Sequence, residues 1–343
     1  MSFGRYSKAV LAVTLAVIAW GAYVRASGSG AGCGSHWPTC NGELLPRPKT
    51  VQTIIELTHR LTSGIDLLLV VGQVVWAWRA FAAGHPARRW AGLSLLFMLT
   101  EAGVGAGLVL LELVADDRST ARGLWMAMHL VNTFLLLGAL TLTARAAHDD
   151  RPVALSRAGL AGWLGVGALA GALVLGTSGA VAALGDTLFP AGSLREGVAQ
   201  DLAPTAHALL RLRVLHPVLA LSLLGYVLLV GASWRAQGER ASRLVTVTVG
   251  AFGAQVLLGF VNLGLLAPIP LQLAHLLAAD AVWICLVLLV AEVLSSPAPS
   301  AVREPAGALR GAHLPAPVGG AIAHRAGHHR VLVEPLHLLR YVP

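Results

Sequence analysis

The chain has 343 residues, of which 56% are hydrophobic and only 12% charged. Its mean hydropathy is +0.70. Soluble domains carry about 25% charged residues, so this composition excludes an ordinary water-soluble globular protein and points to a lipid-embedded one. The net charge of +8 would suit a nucleic-acid binder, but the basic residues sit mainly between apolar runs. We therefore read them as topological signals, with the lipid bilayer as the partner and no nucleic acid.

A membrane-spanning helix needs about 20 mostly apolar residues. The first run, 8–25, has a basic start at Arg5 and Lys8 and is followed closely by Arg25. It lacks a clean small-x-small cleavage site, so it reads as a retained helix rather than a signal peptide.

A polar segment, GSGAGCGSHWPTCNGELLPRP, follows. Cys33 and Cys40 are seven positions apart within it. In an oxidising compartment a disulfide closing this loop is the favoured reading. A redox-active or metal-binding pair stays open.

The second run, 53–78, carries ELTHRLTSG with Glu56, His59 and Arg60. Glu56 and His59 are three apart, so they project from one helical face. The plain alternative for Glu56 is an interfacial carboxylate paired with Arg60. The third run, 90–114, contains EAGVGAGLVLLEL from Glu101. The fourth, 122–144, contains MHLVNTFLLL with His129.

The fifth run, 158–184, contains GALVLGTSGA, and the sixth, 208–233, contains RVLHPVLAL with His216. The seventh, 244–266, contains QVLLGFVNLGLLA from Gln255. The eighth, 271–294, contains AHLLAADAVW with His275 and also Cys285, read as a small buried residue. Residues 296–343 are rich in Pro, Ala, Gly, Arg and His and read as a disordered tail. His324, His328 and His329 fall there and read as solvated, as do His36, His85, His148, His207 and His313.

Arginines concentrate in alternate connections: Arg79, Arg88 and Arg89, then Arg145, Arg151 and Arg157, then Arg235, Arg240 and Arg243. The positive-inside rule then makes both termini cytoplasmic. The expected location is a bacterial cell membrane, crossed many times.

The two halves echo each other. GAYVRASGSG at 21–30 resembles GALVLGTSGA at 171–180, and the histidine, acid-or-amide and glycine features recur in the same order. The expected fold is all-α, with eight transmembrane helices in two pseudo-symmetric four-helix bundles. Residues 1–150 form the first half and 151–295 the second.

One ionisable residue in a membrane helix can be a simple hydrogen-bonding group, but such residues are rare and usually functional. Four histidines at comparable depth, two per half, suit a different chemistry. Two facing imidazoles from one helical bundle can bind a haem iron axially, pairing His59 with His129 and His216 with His275. Bare copper or zinc also accepts imidazole, but no further ligand stands at matching depth. Arg25, Arg60, Arg211 and Arg213 cluster at the same end. They suit haem propionates or, more plainly, snorkelling to headgroups. Arg213 occupies in the second half the place of Glu56 in the first, which suggests one reactive site and one supporting site.

The run VRxSGSGxxC–xxWPxC from Val24 to Cys40, the ELTHR box from Glu56 to Arg60, and the single histidines on later helices together resemble the haem A synthase family over residues 5–295. The resemblance implies an eight-helix enzyme that oxidises a ring methyl of haem O to a formyl group, giving haem A, by two hydroxylations and loss of water. It implies that His216 and His275 hold a haem b, that His59 and His129 face the substrate haem, and that Glu56 is the acid at the reaction centre. Cys33 and Cys40 match the family's outer-loop pair, although Gly34, Ser35 and His36 depart from its usual pattern after the first cysteine. A haem O synthase, an electron donor and a second copy of the chain are the candidate partners.

Three rivals remain at this level. A non-catalytic di-haem b electron carrier would need the histidines but not Glu56. A transporter would use Asp66, Glu101 and Asp280. A haem-farnesylating prenyltransferase would need Asp-rich magnesium motifs, for which Asp116–Asp117 and Asp149–Asp150 are poor substitutes.

Overall fold

The computed structural model describes residues 1–44, 46–47, 50–155 and 159–295. The expectations for residues 296–343 and for Arg157 lie outside the described residues.

The described chain is all-α, with nine helices: α1 (Phe3–Ala26), α2 (Val51–Ala80), α3 (Pro86–Leu110), α4 (Thr120–Ala146), α5 (Gly159–Leu188), α6 (Leu194–Leu202), α7 (Ala208–Arg235), α8 (Glu239–Gly264) and α9 (Ile269–Ser295). Eight of them, all but α6, are long and apolar enough to cross a membrane. Helix α6, LREGVAQDL, is short and has no buried residue. It was not expected.

Helix starts follow local chemistry. Ser2, Thr50, Ser119 and Ser193 each accept a first-turn N–H through the side chain, relieving backbone donors that a helix leaves unpaired. His85 and His207 do the same through Nδ1 for α3 and α7. These two histidines, expected to be merely solvated, are caps. Helix α3 ends at Leu110, four residues before the apolar run does, because the chain turns there: Glu112 and Ala115 take φ of 57° and 51°.

The packing is that of a repeat. Within the first half α1 packs on α2, α2 on α3, α3 on α4, and α4 on α1. The second half repeats all four pairings with α5, α7, α8 and α9. Between the halves, α4 meets α9 and α1 meets α5, while α1–α9 mirrors α5–α4. Self-pairs together with exchanged pairs are the pattern of a twofold relation. The seam is built where α4 meets α9. Phe134 and Trp283 stack with centroids 4.9 Å apart, and Trp283 Nε1 donates to the Phe134 carbonyl at 2.7 Å.

Small residues allow the close approach of the helices, which lipid does not drive by hydrophobicity. A Cβ on Gly165 would lie 3.1 Å from Val290, and one on Gly171 would lie 2.8 Å from Leu223.

The end of the bundle that carries both the start of α1 and the end of α9 is closed by charge. Asp149 pairs with Arg145 at 3.0 Å, Arg151 at 2.8 Å and Arg240 at 3.0 Å. Arg151 also pairs with Glu292 at 2.8 Å. This network joins α4, its following loop, α8 and α9.

Candidate haem site

A single cavity of about 940 Å³ runs through the opposite end of the bundle. Glu56, His59, His129, His216 and His275 all line it. The two sites expected from the sequence therefore open into one space. His59, His129, His216 and His275 stand within about the first three turns of α2, α4, α7 and α9.

Each imidazole packs against a glycine of the preceding membrane-length helix. A Cβ on Gly21 would lie 2.8 Å from His59 Cε1, one on Gly179 2.8 Å from His216 Cε1, and one on Gly259 2.9 Å from His275 Cε1. Gly105 faces His129 more loosely, at 3.9 Å. The four glycines repeat with the histidines: Gly21 and Gly179 are 179 − 21 = 158 apart, and Gly105 and Gly259 are 259 − 105 = 154 apart. Without a side chain on the helix behind it, each ring is free to stand into the cavity.

The rings have polar neighbours that sequence reasoning did not assign. His216 Nδ1 is 3.0 Å from Ser178 Oγ. His129 Nδ1 is 3.4 Å from Glu101 Oε1. Gln255 Nε2 donates to the His275 carbonyl at 2.9 Å and lies 3.3 Å from His275 Nε2. The Nδ1 atoms of His59, His129 and His275 are buried with no formed hydrogen bond. Buried polar atoms are normally satisfied, so three such imidazoles on one cavity wall are atoms suited to a ligand.

His216 and His275 have ring centroids 6.4 Å apart. That spacing leaves room for one metal ion with an imidazole–metal bond of about 2 Å on each side. Among the described residues no group of three or more His, Cys, Asp or Glu is arranged for a bare metal ion. Two-imidazole sets in an apolar cavity fit a metal that brings its own equatorial ligands, as haem does.

Glu56 is 3% exposed. Its Oε2 accepts the backbone N–H of Cys33 at 2.8 Å, and its Oε1 pairs with Arg60. Cys33 and Cys40 form a disulfide. Arg60 also donates to the carbonyls of His36 and Thr39 within the disulfide-closed loop. Gly32 is required at the base of this loop, because a Cβ there would meet the Gln52 carbonyl at 2.5 Å.

The four arginines have protein partners. Arg25 donates to the Ala183 carbonyl, Thr187 Oγ1 and Gln272 Oε1, bridging the halves. Arg213 is held by Asp186 and Asp201. Arg25, Arg60 and Arg213 line the cavity. Arg211 is exposed and donates to the Pro204 carbonyl, away from the cavity wall.

Four further acids line the cavity: Asp66, Glu101, Asp186 and Asp280. Asp66 lies 3.1 Å from Thr14 Oγ1. Asp280 is fully buried with no hydrogen-bond partner among the described residues. Cys285 is a free thiol and only partly buried.

The chain is similar to several curated proteins. One named Protoheme IX farnesyltransferase, from Thermus thermophilus, is 49% identical over 294 residues, covering 84% of this chain and 48% of that protein. One named Heme A synthase, from Staphylococcus carnosus, is 32% identical over 206 residues, covering 57% of this chain and 66% of that protein. Another Heme A synthase, from Geobacillus kaustophilus, is 38% identical over 104 residues, 30% of this chain and 33% of that protein. The chain thus spans about half the length of the first of these relatives. A family model described as COX15-CtaA, cytochrome oxidase assembly protein, matches residues 4–287, and the chain belongs to this family, the one that the haem A synthase motifs pointed to.

Proposed function

We propose that the protein is a haem A synthase, an oxidoreductase that converts a ring methyl of haem O into the formyl group of haem A. The observation that carries this reading is the meeting of Glu56 and four glycine-backed histidines on one cavity in a chain of this family. The first half, 1–150, takes haem O between His59 and His129. The second half, 151–295, takes haem b between His216 and His275. Haem b supplies one-electron chemistry when bound. The net change is a four-electron oxidation of methyl to geminal diol, which adds two oxygens and would reduce an external oxidant such as dioxygen or a membrane electron acceptor, followed by loss of one water to leave the formyl group.

The chain's own residues orient and protect that change. His59 and His129 fix the macrocycle so that a methyl edge faces Glu56. Arg60 and the Cys33 N–H hold the Glu56 carboxylate as an acceptor, where charge-assisted bonds keep its position. A carboxylate so placed stabilises positive character at the methyl carbon and orients a water there. Of the four arginines singled out, Arg25, Arg60 and Arg213 line the cavity and are available to propionates, each by sharing or exchanging a present partner, while Arg211 stands away from the wall.

The farnesyltransferase name belongs to a protein of which this chain spans 48%. Asp149 is engaged in ion pairs and Asp117 accepts from Ser119, and among the described residues neither acidic pair belongs to a group of three or more side chains arranged for a metal ion. That name is better accommodated as a neighbouring step: farnesylation of protohaem yields the kind of substrate this cavity would accept, and the enzyme that supplies haem O is the expected partner. By the positive-inside rule the arginine-rich end of the bundle, where α1 begins and α9 ends, would face the cytoplasm.

The test is Glu56→Gln. It removes the charge and keeps the shape. Pigments extracted from cells that make haem O should then contain haem O and haem b with haem A lost. Haem A at the normal level would overturn the assignment of Glu56.

A further inference from the structure

Glu101 and Gln255 occupy matching places in the two halves. They are 255 − 101 = 154 residues apart, the same offset that separates Gly105 from Gly259. Each precedes, by four positions on one helical face, the glycine that backs a cavity histidine. Each also reaches that histidine, Glu101 at His129 Nδ1 and Gln255 at His275 Nε2, which leaves His275 Nδ1 as the unpartnered nitrogen. The repeat has kept the position and changed the charge.

Glu101 is built in. Asn132 Nδ2 donates to its Oε2 at 2.6 Å, and Thr133 Oγ1 donates to its Oε1. Both donors come from the turn of α4 that follows His129, so the helix that carries the imidazole also anchors the carboxylate beside it. At 3.4 Å the His129–Glu101 contact is longer than a formed N–H···O bond. A small ring rotation completes it and leaves Nε2 for a metal.

We propose that Glu101 is a positioning residue that makes His129 a stronger ligand than it would be beside a carboxamide and so lowers the potential of the substrate-side iron. A carboxylate behind a ligating imidazole fixes its tautomer and raises its basicity. A more basic axial ligand favours the ferric state, and hydrogen bonding beyond the ligand is one of the protein's levers on haem potential. A neutral carboxamide such as Gln255 does this far less. The inference rests on the haem reading of the four histidines.

The experiment uses full-length wild type, Glu101→Gln and Gln255→Glu, each purified from cells that make haem O and haem b. Haem content is measured, and each protein is titrated optically with redox mediators. Two potentials are expected in the wild type, each assigned by the spectrum of its haem. Glu101→Gln should move the first-half potential positive, with haem content unchanged. Gln255→Glu should move the second-half potential negative. If Glu101→Gln loses haem, Gln255→Glu decides alone, and a second-half potential that does not fall overturns the proposal. Unchanged potentials in fully loaded variants overturn the proposal but leave the haem reading intact. A wild type that binds no haem overturns both.

Discussion

Glu56 Oε2 accepts the backbone N–H of Cys33 at 2.8 Å, which ties the candidate reactive carboxylate directly to one member of a disulfide. The tie is doubled. Arg60, which pairs with the other oxygen of Glu56, donates to two carbonyls inside the disulfide-closed loop. Loop, arginine and carboxylate form one unit on the wall of the cavity. Residues that lie far apart in chemical role thereby become interdependent.

Opening the disulfide should therefore act on Glu56 rather than on the second half of the molecule. Cys33→Ser with Cys40→Ser is expected to lower haem A yield while haem b bound through His216 and His275 is retained. Pigment analysis of the purified variant checks this. Loss of haem b together with haem A would mean that the loop supports the whole bundle instead.

Arg60 should not tolerate lysine. Its planar fork reaches three acceptors, and a single ammonium cannot reproduce that geometry. Removing one partner of a buried pair costs about 3–5 kcal/mol. Arg60→Ala is expected to approach that loss and Arg60→Lys to recover only part of it, as read by thermal unfolding in detergent.

The glycines behind the histidines give a graded set. Gly259→Ala would bring a methyl to within 2.9 Å of His275 and force the ring to turn, whereas Gly105→Ala would place one at an ordinary 3.9 Å from His129. Haem bound in the second half should be lost or strongly reduced in Gly259→Ala. Gly105→Ala should load normally. Haem-to-protein ratios distinguish the two.

The ion network at the other end sets an acid limit. Hydrogen bonds from Arg151 foremost, with Arg145 adding attraction, hold the Asp149 carboxyl well below its usual range. A depressed carboxyl contributes stability above its unfolded value of about 3.9, and that contribution is lost as pH falls through the folded value. Stability from this group should be flat from about pH 5 upward, above the unfolded value of about 3.9, and fall only in stronger acid. Asp149→Asn should lower the unfolding temperature at neutral pH and flatten the acid response.

Much of this architecture was legible in the sequence, for physical reasons. The eight spanning helices announce themselves because lipid demands unbroken apolar length. Their repeat survives in the spacing of His59, His129, His216 and His275. Helix α6 was not legible, since nine residues without a buried face leave no periodic signal. The histidines stood out as ionisable groups in apolar runs. Their neighbours did not, because Glu101, Ser178 and Gln255 reach them from other helices, and such pairings exist only once the bundle has formed. The arginines show the same limit: their type and position were readable, but not the partners that already occupy them, Asp186 and Asp201 for Arg213 and Gln272 for Arg25.

The most direct measurement is a haem extraction from the wild-type protein, purified from cells supplied with haem O and resolved by chromatography and mass. Haem A together with haem b is the predicted result. Haem b alone, with haem O present in the same membranes, would contradict the synthase reading and leave a di-haem electron carrier in its place.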